Sequence, residues 1–337
     1  MDLSFPFPEP QAGMPQRIRP GVRLLRMPLP FALDHINLWL LGEGGSWTLV
    51  DTGIATDECR VLWQELLDKP AWGDPEQVLV THFHPDHFGL AGWFSSVRGA
   101  RILMSAGEQA MARRLRARED DEHAGKVVGL FSEHGLDAGF VSLLRKRGNG
   151  YRRIITEPPE GMTTVAAGQS LVMGERHWML LGGNGHSPEH ICPYDPENGV
   201  LISGDQVLPT ISSNVSVGPD APEADPLGDF LSSLTRLREL PADTLVLPSH
   251  GLPFVGLRQR IDDLHSHHEE RLERIRDACI RPCTAAQLLP VLFNRALDGH
   301  TVYFAMGESI AHLHYLWLRG ELVRYRDDAG CYRFSAA

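Results

Sequence analysis

Short apolar runs recur along the first half of the chain, and each stops at a turn former. They predict strands at residues 22–27, 35–41 and 47–50, closed by Pro28, Gly42 and Asp51. Residues 57–67 change to helical spacing, with Val61, Leu62, Leu66 and Leu67 as the apolar stripe and Pro70 beyond its end. The run at 77–80 predicts another strand, 88–97 a helix and 102–104 a further strand. A second series of strands, from Gln169 to Leu247, alternates with one helix at 226–240. Two such series predict an α/β fold of the αββα sandwich type, two packed mixed β-sheets flanked by helices.

Three stretches stand outside this pattern. Residues 1–20 are proline-rich and aperiodic, which predicts an N-terminal arm. Residues 106–159 form an insertion of helical character: 107–120 is rich in Ala, Arg and Glu, and 127–131 and 140–144 add apolar faces. Such an insertion at an enzyme mouth acts as a lid. Its Arg113, Arg114, Arg116 and Arg118, followed by Arg145, Lys146 and Arg147, form either a solvated face or a set of cations for a substrate carboxylate or phosphate. The third stretch, 257–337, begins with a long helix at 257–280, charged on one side. Thr284 then caps a helix to 292, 307–318 forms another that Gly320 closes, and 322–325 with 332–334 make a hairpin. Helix, helix, hairpin is a winged-helix-like pattern. The body between arm and module is 21–256.

Composition narrows the function. A chain of 337 residues, 42% of them hydrophobic, fills a large core and still supplies an appendage. No apolar stretch approaches the ~20 residues that cross a bilayer, and the first residues lack a basic segment followed by an apolar one. Cys59, Cys192, Cys279, Cys283 and Cys331 are scattered, as reduced thiols of the cytoplasm are. The net charge of -11 argues against a nucleic-acid partner, which draws on Lys and Arg to neutralise phosphate. From Arg271 onward, nine Arg against seven Asp and Glu do not reverse that balance. A small-molecule substrate, with an anionic part held by local arginines, fits better. The C-terminal module is expected to support a homodimer or to wall the active site.

The chemistry concentrates in THFHPDHFGL, where His82, His84, Asp86 and His87 fall within six residues, directly after an apolar run. Three imidazoles and a carboxylate crowded together conflict unless a divalent cation accepts their lone pairs. Further candidates follow other apolar runs: His186 in GGNGHSPEH, Asp205 in VLISGDQV and His250 in TLVLPSHG. His312 and His314 imitate a ligand pair, but positions two apart on a helix point roughly 200° from each other. They read as packing or surface residues, and His265, His267 and His268 as part of a solvated helix face.

The order LVDTG, HFHPDH, GHS, SGD and PSHG resembles the five motifs of the metallo-β-lactamase fold superfamily of hydrolases, over most of residues 22–256. That resemblance implies one metal on His82, His84 and His186, a second on Asp86, His87 and His250, and Asp205 bridging them. Asp51 then orients the loop of the second motif rather than binding metal, and His190 takes a supporting or substrate-contact role. With His at position 84 and no Cys among the ligands, zinc is the expected metal, iron or manganese being the other candidates. The bridging Asp205 separates the chain from antibiotic-degrading branches and groups it with glyoxalase II-like thioesterases, lactonases and nucleases. The C-terminal pattern resembles the winged-helix module appended to some of these hydrolases, carried by AHLHYLWLRGEL.

A dinuclear centre activates water as the nucleophile, with Asp86 or Asp205 taking its proton. No GxSxG elbow is present, and Ser203 is not a nucleophile. The expected activity is hydrolysis of a thioester, ester or lactone. The alternative is a phosphodiesterase or endoribonuclease of the winged-helix branch. The third reading, a non-catalytic binding protein, conflicts with the complete ligand set.

Overall fold

The computed structural model describes residues 3–43, 46–294, 296–299 and 301–337. Strands β1 (Gln16–Arg19), β2 (Val22–Pro28), β3 (His35–Leu41), β4 (Thr48–Val50), β5 (Gln77–Leu79), β6 (Arg101–Ser105) and β7 (Thr163–Val165) lie in chain order across one seven-stranded sheet. The second sheet has six strands in the order β13-β12-β11-β10-β9-β8. These are β8 (Ser170–Met173), β9 (Arg176–Gly183), β10 (His190–Asp195), β11 (Val200–Gly204), β12 (Leu245–Pro248) and β13 (Phe254–Val255). Each sheet is mixed. β4 to β7 run parallel, as do β11 and β12, and the remaining neighbours are antiparallel.

Burial on both faces explains why the strands read as apolar runs without polar alternation. On β3, Trp39 and Leu41 enter the layer between the sheets, where they meet Trp178, Leu180 and Ile202 of the second sheet. Ile36, Leu38 and Leu40 face the opposite way, onto helices α1 (Asp57–Leu67) and α3 (Ala91–Arg98) through Trp63, Leu66 and Phe94. On the far side, Leu201 and Val246 of the second sheet pack under α7 (Pro226–Leu237) and α8 (Leu257–Ala278). The αββα sandwich is therefore the architecture.

Three readings change. The stretch read as an arm contains β1, which pairs with β2, and Ser4 bridges to Val255. The helix expected at 88–97 is two, α2 (Pro85–Phe88) and α3, because the Leu90 amide donates to Thr52 Oγ1 at 3.0 Å instead of continuing the α2 ladder. The insertion, read as a helical lid, is helical and packs on the C-terminal segment. Its helices are α4 (Ala106–Ala117), α5 (Asp120–Glu133) and α6 (Ala138–Arg147). Val127, Phe131 and Leu144 share one core with Val302, Met306 and Phe334 of the C-terminal segment.

That segment continues from α8 through α9 (Leu289–Leu292) and α10 (Thr301–Leu318) to the hairpin β14 (Leu322–Arg326) and β15 (Tyr332–Ala336). Thr284 and Gln287 cap the turn before α9 reciprocally, side chain to backbone, at 3.0 and 3.3 Å. Among the described residues no helix is long and apolar enough to cross a membrane.

Candidate metal centre

The site lies where strands end. Asp51 follows β4, His82 to His87 follow β5, His186 follows β9, Asp205 follows β11 and His250 follows β12. Strand ends hold such residues rigidly while the turns between them leave room for close approach. All seven residues proposed as ligands converge in two groups, one of His82, His84, His186 and Asp205, the other of Asp86, His87 and His250. Asp205 stands between them. Its Oδ2 is 3.4 Å from His186 Nε2, and its Oδ1 is 3.3 Å from His87 Nε2 and 3.5 Å from His250 Nε2. Asp86 Oδ2 lies 3.6 Å from His87 Nε2 and 3.4 Å from His250 Nε2.

The outer nitrogens of the rings decide what the inner ones can do. Nδ1 of His186 donates to the Asn214 carbonyl at 2.8 Å and Nδ1 of His250 to the His35 carbonyl at 2.7 Å. Nδ1 of His87 donates to Asp51 Oδ2 at 2.8 Å. Each ring therefore commits Nδ1 to the protein and leaves Nε2 as the inward nitrogen that a cation can take once any proton there is displaced. His82 Nε2 lies 2.9 Å from His84 Nδ1 and 3.3 Å from His186 Nε2, so three ring nitrogens converge on one point. His87 Nε2 and Asp205 Oδ1 are buried without a hydrogen-bond partner. A divalent cation would satisfy these atoms together. The donor set of nitrogen and carboxylate oxygen, without thiolate, fits zinc, iron or manganese.

The electrostatics agree. Burial lowers His82, and its neighbouring imidazoles lower it further; His84 falls to about 3 for the same reasons, burial foremost. Burial opposes ionisation of Asp86 and Asp205, yet His87 and His250 outweigh it and hold both carboxyls below their usual range. Burial also lowers His87, but Asp51, Asp205 and Asp86 overcome this and raise it well above the imidazole range. In the metal-free cluster a proton on His87 occupies the position a cation would take.

Asp51 has a left-handed φ of 61°, a conformation an aspartate tolerates better than most residues. Its Oδ1 accepts the Thr81 amide at 2.8 Å, so one carboxylate fixes both the start of the ligand loop and the His87 ring. His190 is fully buried, and its Nε2 accepts the Asp205 amide at 3.2 Å. Its ring stacks on His82 at 4.8 Å. It touches the frame of the site and lies away from solvent.

Several contributors were not singled out in the sequence. Glu108, Tyr151, Asn37 and Ser213 hold backbone of the ligand loops, while Thr81 Oγ1 meets the His82 ring and the His35 carbonyl the His250 ring. The arginine run is committed elsewhere. Arg113 donates to the Pro159 and Glu160 carbonyls, Arg116 pairs with Glu157, Arg118 forks onto Asp220, and Arg114 lies 3.6 Å from the same Asp220. His268, read as solvated, is buried and bonds to His312 at 3.1 Å, while His314 donates to the Ala224 carbonyl at 3.0 Å.

The chain belongs to the metallo-beta-lactamase superfamily, whose family model matches residues 32–250, and a metallo-beta-lactamase-like C-terminal domain model matches residues 272–337. A beta-lactamase domain protein from Burkholderia ambifaria superposes with a TM-score of 0.91 at 43% identity, covering 99% of this chain and 98% of that one. The probable metallo-hydrolase YqjP of Bacillus subtilis (strain 168) is 28% identical over 89% of this chain and 93% of its own length. Hydroxyacylglutathione hydrolase of Pseudomonas aeruginosa (strain LESB58) is 27% identical, over 67% of this chain and 66% of its own. A metal-dependent hydrolase is the class that family and cluster define together.

Proposed function

We propose that this protein is a dinuclear hydrolase acting on a thioester, ester or lactone. One observation carries the reading: the Asp205 carboxylate presents one oxygen to each of two ligand groups. His82, His84 and His186 would hold one ion, Asp86, His87 and His250 the other, with Asp205 shared. A bound pair of divalent ions, zinc by preference, supplies a water ionised near neutral pH and polarisation of the scissile bond.

The chain's own residues do the rest. The carbonyls of His35 and Asn214 and the Asp51 carboxylate fix three imidazoles in the ligating tautomer. Asp86, whose side chain is 17% exposed, is the acidic group at the rim of the cluster and takes the proton lost during attack. Ser203 cannot serve as nucleophile, since its hydroxyl donates to the Val207 carbonyl inside the core. Similarity to a hydrolase of an acylated glutathione and the acidic chain favour an acyl substrate over a phosphodiester. The five free thiols suit a reducing cytoplasm. We read the C-terminal segment as a winged-helix-like module and a candidate dimer contact.

Metal analysis joined to a substrate panel tests this. The purified protein should carry two zinc-class ions per chain and lose activity on chelation. It should cleave thioester, lactone or ester probes in preference to bis-p-nitrophenyl phosphate. A phosphodiester preference would overturn the substrate assignment, and Asp205→Ala losing one ion only would overturn the bridge.

A further inference from the structure

The insertion grips the ligand loop at a single residue from both sides. Phe83 stands between His82 and His84. Its amide donates to Glu108 Oε2 at 2.9 Å, and its carbonyl accepts from the Tyr151 hydroxyl at 2.7 Å. Both partners belong to the insertion, Glu108 to α4 and Tyr151 to the turn at Tyr151–Arg153. The other oxygen of Glu108 crosses to the second ligand loop. Oε1 accepts from the Ser187 hydroxyl at 2.6 Å and from the Glu189 amide at 2.7 Å, on the residues directly after His186. Glu189 returns the contact: its Oε2 accepts the Gly107 amide at 2.6 Å, and its carbonyl accepts from Ser105 Oγ at 2.8 Å.

Glu108 is fully buried, and among the described residues no Lys or Arg is paired with it. Burying a carboxylate without a cation is costly unless donors surround it, and here two backbone amides and a hydroxyl do so. Among the described residues those donors come from the loop of His82 and His84, which also carries Asp86 and His87, and from the loop of His186. The other ligand group is held from the sandwich itself, His87 by Asp51 and His250 by the His35 carbonyl.

We propose that Glu108 and Tyr151 are positioning residues through which the insertion sets the spacing of His82, His84 and His186, and so governs the affinity of that metal position more than that of the other. This rests on the dinuclear reading above. The insertion is then a buttress of the centre. Its loss would fall mainly on the group of His82, His84 and His186, because His87 and His250 keep their own holds on Asp51 and the His35 carbonyl.

Titration of metal-free protein with Co2+, followed by its absorption spectrum and by native mass spectrometry, tests the assignment. The parent should take up two ions. Glu108→Ala should keep one at parental affinity and weaken the other about 10- to 100-fold, the range for loss of a group that orients metal ligands. The ion it retains should match the spectrum of the one retained by His84→Ala. Tyr151→Phe should weaken the same position by less. If Glu108→Ala does not fold by circular dichroism, Glu108→Gln and Tyr151→Phe decide on the same criterion. Two ions at parental affinity, or equal weakening of both, would overturn the clamp while leaving the dinuclear reading in place. A parent that takes up no ion overturns that reading and the clamp with it.

Discussion

Oδ2 of Asp51 lies 2.8 Å from Nδ1 of His87, both side chains are buried, and the contact decides which nitrogen of that ring is free. A carboxylate at this distance accepts the Nδ1–H hydrogen bond, which leaves Nε2, aimed at Asp205 and Asp86, as the nitrogen a cation can take. Asp51→Asn keeps the shape and tolerates the left-handed backbone. The amide oxygen is drawn to the Thr81 amide and hydroxyl, so its NH2 faces His87 and reverses the tautomer. Binding at the position of Asp86, His87 and His250 should weaken about 10- to 100-fold, with the other position unaffected. Isothermal titration with zinc resolves the two, and parental affinity at both would remove Asp51 from this role.

Acidity should act on the centre through its protons. His87 and His250 are held above the ordinary imidazole value of 6.5, and Asp86 and Asp205 below the ordinary carboxyl value of 3.8. A cation must displace the imidazole protons, so affinity should rise with pH through neutrality, with measurable proton release. In the metal-free protein the signs divide. The imidazoles stabilise the fold below about pH 6.5 and lose that contribution as pH rises through their higher folded values; the aspartates stabilise it above about pH 3.8 and lose it as pH falls. Ion affinity independent of pH between 6 and 8, measured by competition with a coloured chelator, would contradict this account.

The seven convergent residues were legible because their crowding has one economical physical resolution and because each follows an apolar run that makes a strand. The strand Gln16–Arg19 was not, since four residues with one buried position carry no alternation. Glu108 was invisible for a different reason: its partner Ser187 is 79 residues away, and only the fold brings the two together. The burial of His268 did leave a signal. It continues the stripe of Leu257, Ile261, Leu264, Leu272 and Ile275 along α8, and charged neighbours on the next positions masked it. The arginine run shows the converse, since local charge density says nothing about carbonyls and carboxylates supplied from distant segments.

Arg118 and Arg114 illustrate how differently those partners count. The Arg118 side chain is 4% exposed and forks onto Asp220, itself 13% exposed, whereas Arg114 is 52% exposed and 3.6 Å from the same carboxylate. Removing Arg118 takes two charge-assisted hydrogen bonds from the half-buried Asp220, at a cost of about 1–3 kcal/mol. An exposed contact is worth about 0–1 kcal/mol. Arg118→Ala should therefore lower the urea midpoint strongly and Arg114→Ala barely. Neither should change the ratio of KM values for anionic and neutral esters, because both guanidiniums face Asp220 rather than the ligand residues. A selective rise for the anionic ester would return these arginines to the substrate site.

Gly204 precedes the shared Asp205 at a φ of 53°, and a Cβ there would lie 2.5 Å from the His190 ring. That ring accepts the Asp205 amide and stacks on His82, so it cannot retreat without moving both. Gly204→Ala should cost about 1–2 kcal/mol from its left-handed backbone and about 1–3 kcal/mol more from overpacking against the imidazole. It should also lower metal content, because the displaced ring shifts the backbone that carries Asp205. In the background of His190→Ala the overpacking disappears and only the backbone strain remains. A double-mutant cycle by thermal unfolding should therefore show a coupling of about 1–3 kcal/mol, with the pair less destabilised than the sum of the single changes. Strict additivity would mean that the ring yields freely, and that His190 does not brace the shared aspartate.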